Sequence, residues 1–281
     1  MLSYRHAFHA GNFADLLKHL ILCECLDYLK RKDKAFVYLD THAGPGEYAL
    51  DSDFAQKNQE YRNGIETIWS ANDLPEALNR YRDSIRSFNP EGTLKLYPGS
   101  PRIAQQSLRS GDRLELCELH NTEIQALSGH FKTDSQAQVW HLDGFERLLK
   151  ALPPQERRGL ILVDPSYELK ADYDRVVDSV RQAHRKFAQG LYLIWYPVVD
   201  RARIEHIHQQ FIQSGIPKIE AYEYGLQPDT DGRGMTASGM IVINPPWTLK
   251  DQIEPALQYL VEKLSHSEQA YYSAVTLVAE T

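Results

Sequence analysis

The four residues Asp164-Pro165-Ser166-Tyr167 bring a carboxylate, a proline carbonyl and an aromatic ring to the end of an apolar run. The exocyclic amine of a nucleobase is a poor nucleophile, because its lone pair is delocalised into the ring. The carboxylate of Asp164 and the carbonyl of Pro165 could accept its two N–H groups and direct the lone pair toward an electrophilic methyl group. Tyr167 offers a face on which an unstacked base can lie. The segment predicts methyl transfer to such an amine, with an ordinary turn after a strand as the alternative.

Three other apolar runs end in residues that suit a nucleotide-like ligand. The first is followed by the turn Gly44-Pro45-Gly46, where the backbone can approach a ligand closely. The second ends in Glu118, whose carboxylate can accept both hydroxyls of a ribose. The third ends in Asp143-Gly144, where a carboxylate and bare backbone could bind an adenine edge. This order of strand ends predicts S-adenosylmethionine as the cofactor, since an NAD enzyme would share the first two signals but not need Asp-Pro-x-Tyr.

Apolar runs and helical patterns alternate along the chain around these residues. An amphipathic helix is expected from Phe13 to about Lys30, and helical patterns also occupy 120–132, 144–151 and 172–188. Short apolar runs, which predict buried strands, occur at 35–39, 114–117, 138–142, 160–163 and 191–195. The segments 219–224 and 240–243 resemble an antiparallel hairpin. The expected fold is α/β: a Rossmann-like, mostly parallel sheet of the class I S-adenosylmethionine methyltransferase type with a C-terminal antiparallel hairpin.

The segment 51–95 differs from the rest in its polar, helix-compatible sequence with scattered apolar anchors. We expect it to be a small helical insertion subdomain. Residues 1–50 and 96–281 would then form the methyltransferase core.

Composition excludes several other classes of protein. The 281 residues carry a formal net charge of -7, which argues against a broad basic face for nucleic acid. Without an apolar run of about 20 residues or a secretory leader, a cytoplasmic protein with no membrane contact is expected. The three cysteines lack CxxC spacing and predict buried thiols. His6 and His9 form an HxxH pair, but without a supporting ligand set no metal is expected.

Five blocks of sequence resemble the RlmJ family of bacterial 23S ribosomal RNA adenine-N6 methyltransferases. The similarity spans nearly the whole chain and extends to Gly239-Met240 and 242–247. The blocks are Leu2-Ser3-Tyr4-Arg5-His6-Ala7-Phe8-His9-Ala10-Gly11-Asn12 with Asp15, Lys18 and His19, then Leu39-Asp40-Thr41-His42-Ala43-Gly44, Tyr97-Pro98-Gly99-Ser100-Pro101, Glu118-Leu119-His120 and Asp164-Pro165-Ser166-Tyr167-Glu168.

The resemblance implies a site, a substrate and a cofactor. The substrate would be 23S ribosomal RNA, methylated by a monomer that uses S-adenosylmethionine. Tyr4 and His6 would lie near the target adenosine. Ser166 replaces the second proline that is usual in the family, a change that leaves both predicted acceptors in place. The cofactor-binding residues, together with the glycine turn above, would be Lys18, His19, His42, Gly44, Ser100, Glu118, Asp143, Gly144 and Asp164.

Two other functions are compatible with the same motifs. A DNA adenine-N6 or cytosine-N4 methyltransferase uses the same Asp-Pro-x-Tyr chemistry, although the insertion is small for reading duplex sequence. A non-catalytic nucleic-acid-binding protein could keep the fold with a degenerate motif.

Overall fold

The computed structural model describes residues 6–230, 234–265 and 267–280. An eight-stranded sheet forms its centre, with strand order β10-β8-β9-β7-β6-β1-β4-β5. A two-stranded antiparallel sheet, β2-β3, lies apart from it. The described residues form ten strands, namely β1 (Val37–Asp40), β2 (Glu47–Ala49), β3 (Leu96–Pro98), β4 (Arg113–Cys117), β5 (Ala137–Trp140), β6 (Gly159–Val163), β7 (Leu191–Val198), β8 (Ile219–Gly225), β9 (Ala237–Ile243) and β10 (Tyr271–Val278).

The large sheet is parallel in one half and antiparallel in the other. β5, β4, β1, β6 and β7 run parallel, so their carboxyl ends share one edge. β9 lies antiparallel between β7 and β8, and β10 adds an antiparallel edge strand. The prediction of a mostly parallel α/β sheet with a C-terminal antiparallel hairpin is therefore confirmed. The strand β10 lies beyond the predicted hairpin and completes the sheet.

Helices cover both faces of this sheet, and each face has its own hydrophobic core. α1 begins after Asn12, whose side chain caps the helix by accepting from the N–H groups of Ala14 and Asp15. Its apolar side chains pack with those of α4, α5 and α10, whereas α7, α8 and α9 contribute to the other core. The helices are α1 (Phe13–Lys30), α2 (Asp53–Asn58), α3 (Ile65–Trp69), α4 (Glu76–Ser87), α5 (Ser100–Ser107), α6 (Asn121–His130), α7 (Gly144–Ala151), α8 (Ala171–Lys186), α9 (Arg201–Ile212) and α10 (Leu249–Leu264).

The segment 51–95 is helical, as its polar, helix-compatible sequence predicts, and contains α2, α3 and α4. β2 and β3 pair immediately outside it, so the chain enters and leaves the segment at one place. Tyr81 and Ile85 of α4 are buried in the same core as α1. The division of the chain into a methyltransferase core and an insertion subdomain stays a prediction.

All three cysteines are free and buried, which confirms their predicted character. Among the described residues, no helix has the length and apolar character that a membrane crossing requires.

Matched Val→Ala substitutions would test the importance of the central sheet. Val242 is fully buried in β9, whereas Val275 on β10 is 45% exposed. We expect Val242→Ala to lower the free energy of unfolding by about 2 kcal/mol, because it leaves a cavity in a packed core. Val275→Ala is expected to change it by less than about 0.5 kcal/mol. Urea denaturation of the two variants measures both values, and equal losses would contradict the packing described above.

Candidate active site

A cavity of about 1260 Å³ opens beyond the carboxyl ends of the parallel strands. Its volume exceeds the roughly 300 to 1,000 Å³ of common small-molecule sites. Tyr4 lies outside the described residues. All the other predicted site residues line this cavity, namely His6, Lys18, His19, His42, Gly44, Ser100, Glu118, Asp143, Gly144, Asp164, Pro165 and Tyr167.

The ammonium of Lys18 connects Asp164 with a second buried carboxylate. Its Nζ lies 2.7 Å from Oδ2 of Asp164, directly after β6, and 2.9 Å from Oδ1 of Asp15. Asp15 also contacts His6, with Nε2 of the histidine 2.8 Å from Oδ2, and accepts the backbone N–H of Gly11. α1 therefore links the segment that precedes it to the carboxylate at the end of β6.

These contacts shift the pKa of each partner. Burial raises the pKa of Asp164 above its usual range, while the adjacent Lys18 opposes that rise. Burial alone would raise the pKa of Asp15, but His6 and Lys18 hold it well below the usual range. Burial alone would lower the pKa of Lys18, yet its two carboxylate neighbours raise it. The lysine therefore remains charged at neutral pH and favours the ionised form of Asp164.

The loop after β1 is organised by Asp40, a fully buried carboxylate. Its Oδ2 accepts hydrogen bonds from Ser100 Oγ at 2.6 Å and Tyr38 Oη at 2.7 Å, and its Oδ1 accepts the N–H of His42. Burial raises the pKa of Asp40 to about 6. Burial also lowers the pKa of His42 to about 4, so this ring is neutral at physiological pH.

Glu118 lies where its carboxylate can face a ligand, and two backbone donors hold it there. Oε2 accepts the N–H of Gly44 at 2.8 Å, and Oε1 accepts the N–H of His120 at 2.6 Å. Burial raises its pKa, and these donors counteract part of the rise. Gly44, with φ of 61°, has the left-handed backbone that glycine adopts without strain.

Asp143 and Gly144 form the start of α7. Asp143 Oδ1 caps the helix by accepting from the N–H groups of Phe145 and Glu146, while Oδ2 forms an ion pair with Arg175 at 2.8 Å. Burial would raise the pKa of Asp143, but Arg175 lowers it. A Cβ atom at Gly144 would lie 1.8 Å from the carbonyl oxygen of Thr41, so only glycine allows this contact between the loops after β1 and β5.

Tyr167 is mostly buried and adopts a left-handed backbone with φ of 53°. Its hydroxyl donates to the carbonyl of Trp195 at 2.6 Å, and its ring lies 4.5 Å from that of Tyr173. These contacts fix the loop that carries Pro165. The role of the Tyr167 ring as a surface for the base stays a prediction.

Sequence reasoning assigned no role to Asp15 or Asp40, although both hold predicted site residues in place. Asp15 precedes Lys18 by three residues on α1, a spacing that places both side chains on one helix face and could have indicated the pair. Asp40 ends β1 and could have been included with the other strand-end carboxylates. His6 and His9 contact different carboxylates, Asp15 and Glu60. Within the described ranges, no group of three or more His, Cys, Asp or Glu residues is arranged to hold a metal ion.

Comparison with known proteins gives full-length similarities. The family model described as "Ribosomal RNA large subunit methyltransferase D, RlmJ" matches residues 33–277. The chain is 48% identical to ribosomal RNA large subunit methyltransferase J of Escherichia coli, with 100% of both chains covered. It is 49% identical to the protein of that name in Haemophilus influenzae, with 94% of each covered. The crystal structure of protein LPL1258 from Legionella pneumophila superposes with a TM-score of 0.88 at 39% identity, covering 95% of this chain and 98% of that one.

The buried carboxylate of Asp40 makes the free energy of unfolding decrease as the pH rises. Its pKa in the folded protein, about 6, lies above the value of about 3.9 in an unfolded chain. Protonation therefore favours the folded state, and this stabilisation is lost as the pH rises from about 4 through about 6.

We expect the stability of Asp40→Asn relative to the wild type to rise by on the order of 3 kcal/mol between pH 4 and pH 7, because only the wild type loses a proton from this site. Urea denaturation at several pH values measures the change, with Asp178→Asn on the exposed surface of α8 as the control. A relative stability that falls over this range would show that Asp40 is stabilised as a carboxylate.

Proposed function

Because the chain belongs to the RlmJ family of ribosomal RNA large subunit methyltransferases, we propose that it methylates the N6 amine of an adenine in 23S ribosomal RNA. The observation that carries the proposal is the placement of Asp164 and Pro165 in the cavity, with Lys18 ion-paired to the carboxylate. This arrangement provides acceptors for an exocyclic amine and a cation that keeps one of them charged.

The residues around the cavity fit S-adenosylmethionine. This cofactor, when bound, supplies a methyl group on a positively charged sulfur. Glu118, fixed by two backbone N–H groups, suits the hydroxyls of its ribose. The close contact of Gly144 with Thr41 holds the loops after β1 and β5 together beside Asp143, where an adenine edge would bind. Lys18, His19, His42, Ser100 and Asp164 would complete the cofactor site.

The chemistry assigned to Asp164 depends on how its two oxygens are used. Oδ2 is held by Lys18. Within the described part of the chain no hydrogen bond to Oδ1 is found, so this oxygen can accept one N–H of the target amine. The Pro165 carbonyl would accept the other N–H. Together the two acceptors would orient the lone pair, stabilise positive charge on the nitrogen, and leave Asp164 placed to take the proton that the methylated amine releases.

The target base would lie between Pro165 and the segment that precedes α1. His6 lines the cavity and is anchored by Asp15, in agreement with a role near the adenosine. Tyr4 is assigned to the same side on resemblance alone. Tyr167 would contribute through the loop that it fixes and through its ring.

The proposal includes three further points. The chain acts as a monomer, since every group used above comes from one copy. The reaction needs no metal, because side chains and one backbone carbonyl provide the assigned chemistry. Ribosomal RNA as the substrate would place the protein in the cytoplasm.

Loss of the carboxylate at Asp164 tests the reaction and its substrate together. Ribosomal RNA and genomic DNA from a strain without the gene would be digested, and N6-methyladenosine quantified by mass spectrometry. We expect one N6-methyladenosine to disappear from 23S rRNA and to return with the wild-type gene. Asp164→Asn should reduce methylation of purified RNA by roughly 100-fold or more, because the amide cannot take the proton.

Asp178→Asn, the same substitution on the exposed surface of α8, is the matched control and should restore methylation fully. Altered DNA with unchanged rRNA would favour a DNA methyltransferase instead. No change in either nucleic acid would indicate a binding protein without this activity.

The ion pair between Lys18 and Asp164 predicts a shift in the pH dependence of the reaction. Burial raises the pKa of Asp164, and Lys18 opposes that rise. Lys18→Met therefore raises this pKa further, and the acid limb of the kcat profile should move to higher pH. Single-turnover rates between pH 5 and pH 9 measure the shift, after circular dichroism has shown that the variant is folded. If Lys18→Met is slower but the acid limb of its kcat profile stays at the wild-type pH, Lys18 does not control the pKa of Asp164.

A further inference from the structure

A chain of hydrogen bonds leads from the segment 51–95 into the cavity. Tyr81 of α4 and Tyr97 of β3 are in contact through their hydroxyl oxygens at 2.7 Å. The Tyr97 hydroxyl also lies 2.7 Å from Nδ1 of His19, which lines the cavity. All three side chains are almost completely buried. The function proposed above uses His19 but assigns no role to either tyrosine.

The chain determines which nitrogen of His19 carries the proton. Burial lowers the pKa of His19 to about 3, so its imidazole is neutral and has one donor and one acceptor. A phenol hydroxyl is a strong donor, and an unprotonated ring nitrogen is a strong acceptor. When Tyr81 donates to Tyr97 and Tyr97 donates to Nδ1, each hydroxyl acts as a donor and the ring nitrogen acts as the acceptor. The proton of the imidazole then resides on Nε2.

We propose that Tyr97 is a positioning residue that holds His19 as an Nε2–H donor toward the carboxylate of the bound cofactor. The inference rests on the proposed function, since it takes S-adenosylmethionine as the ligand. Among the groups of that molecule the carboxylate is the strongest acceptor for an N–H donor, and Glu118 and Asp143 are already assigned to its ribose and its adenine. Within the described part of the chain, no hydrogen bond of His19 Nε2 is found, so the donor is available to a ligand.

Two Tyr→Phe variants separate positioning from packing. Tyr97→Phe removes the hydroxyl that contacts His19, whereas Tyr81→Phe removes an equally buried hydroxyl one step farther away. Titration calorimetry would measure Kd for S-adenosylhomocysteine and for 5′-methylthioadenosine, which lacks the carboxylate. We expect Tyr97→Phe to raise Kd for S-adenosylhomocysteine roughly fivefold, as for loss of one hydrogen bond, and Kd for methylthioadenosine less than about twofold. Tyr81→Phe should change both by less than about twofold.

The tautomer is measured independently of any ligand. Long-range ¹⁵N–¹H NMR of the free protein should show His19 protonated on Nε2 in the wild type and in Tyr81→Phe, and a changed pattern in Tyr97→Phe. The His19 signals are assigned by their absence from His19→Gln. An Nδ1–H tautomer in the wild type would overturn the proposal, as would equal weakening of both ligands by the two variants. A wild type with the Nε2–H tautomer that binds neither ligand would instead overturn the cofactor assignment.

Discussion

The buried ammonium of Lys18 is the interaction on which the site depends. Two carboxylates in a largely buried region repel each other and are costly to desolvate, so neither Asp15 nor Asp164 would remain charged there alone. One cation within 3 Å of both offsets that cost. Because the three groups come from α1 and the end of β6, folding of the helix onto the sheet and assembly of the charged site are the same event.

Much of the site could be predicted from the sequence because parallel strands share an edge. Glu118, Asp143 and Asp164 each follow an apolar run, and any parallel arrangement of those runs brings their carboxylates together. The glycines also helped to predict the site, because a glycine can mark a position where two backbone segments are in close contact. At Gly144 the backbone of another loop occupies the place of a side chain, a constraint that appears in the sequence as a glycine next to a helix cap.

The partners of each carboxylate could not be predicted in this way. The carboxylate of Asp143 could cap a helix, pair with Arg175 or remain available to a ligand. Which of these occurs depends on side-chain positions that residue spacing does not determine. The pair β2-β3 was missed because each strand has only three residues, too few for a period to be recognised. The contact of Tyr81 with Tyr97 joins a helix to a strand and has no local signature at all.

The pairing of β2 with β3 also affects how the segment between them can vary during evolution. Ala49 lies opposite Leu96, so the two ends of the intervening segment emerge side by side. A segment anchored in this way can lengthen, shorten or be exchanged while the sheet behind it keeps its geometry. The limit on such exchange lies in α4, because Tyr81 and Ile85 are buried in the same core as α1 and a replacement must still fill that space. The architecture thus leaves one region open to diversification and limits that variation through the packing of a single helix.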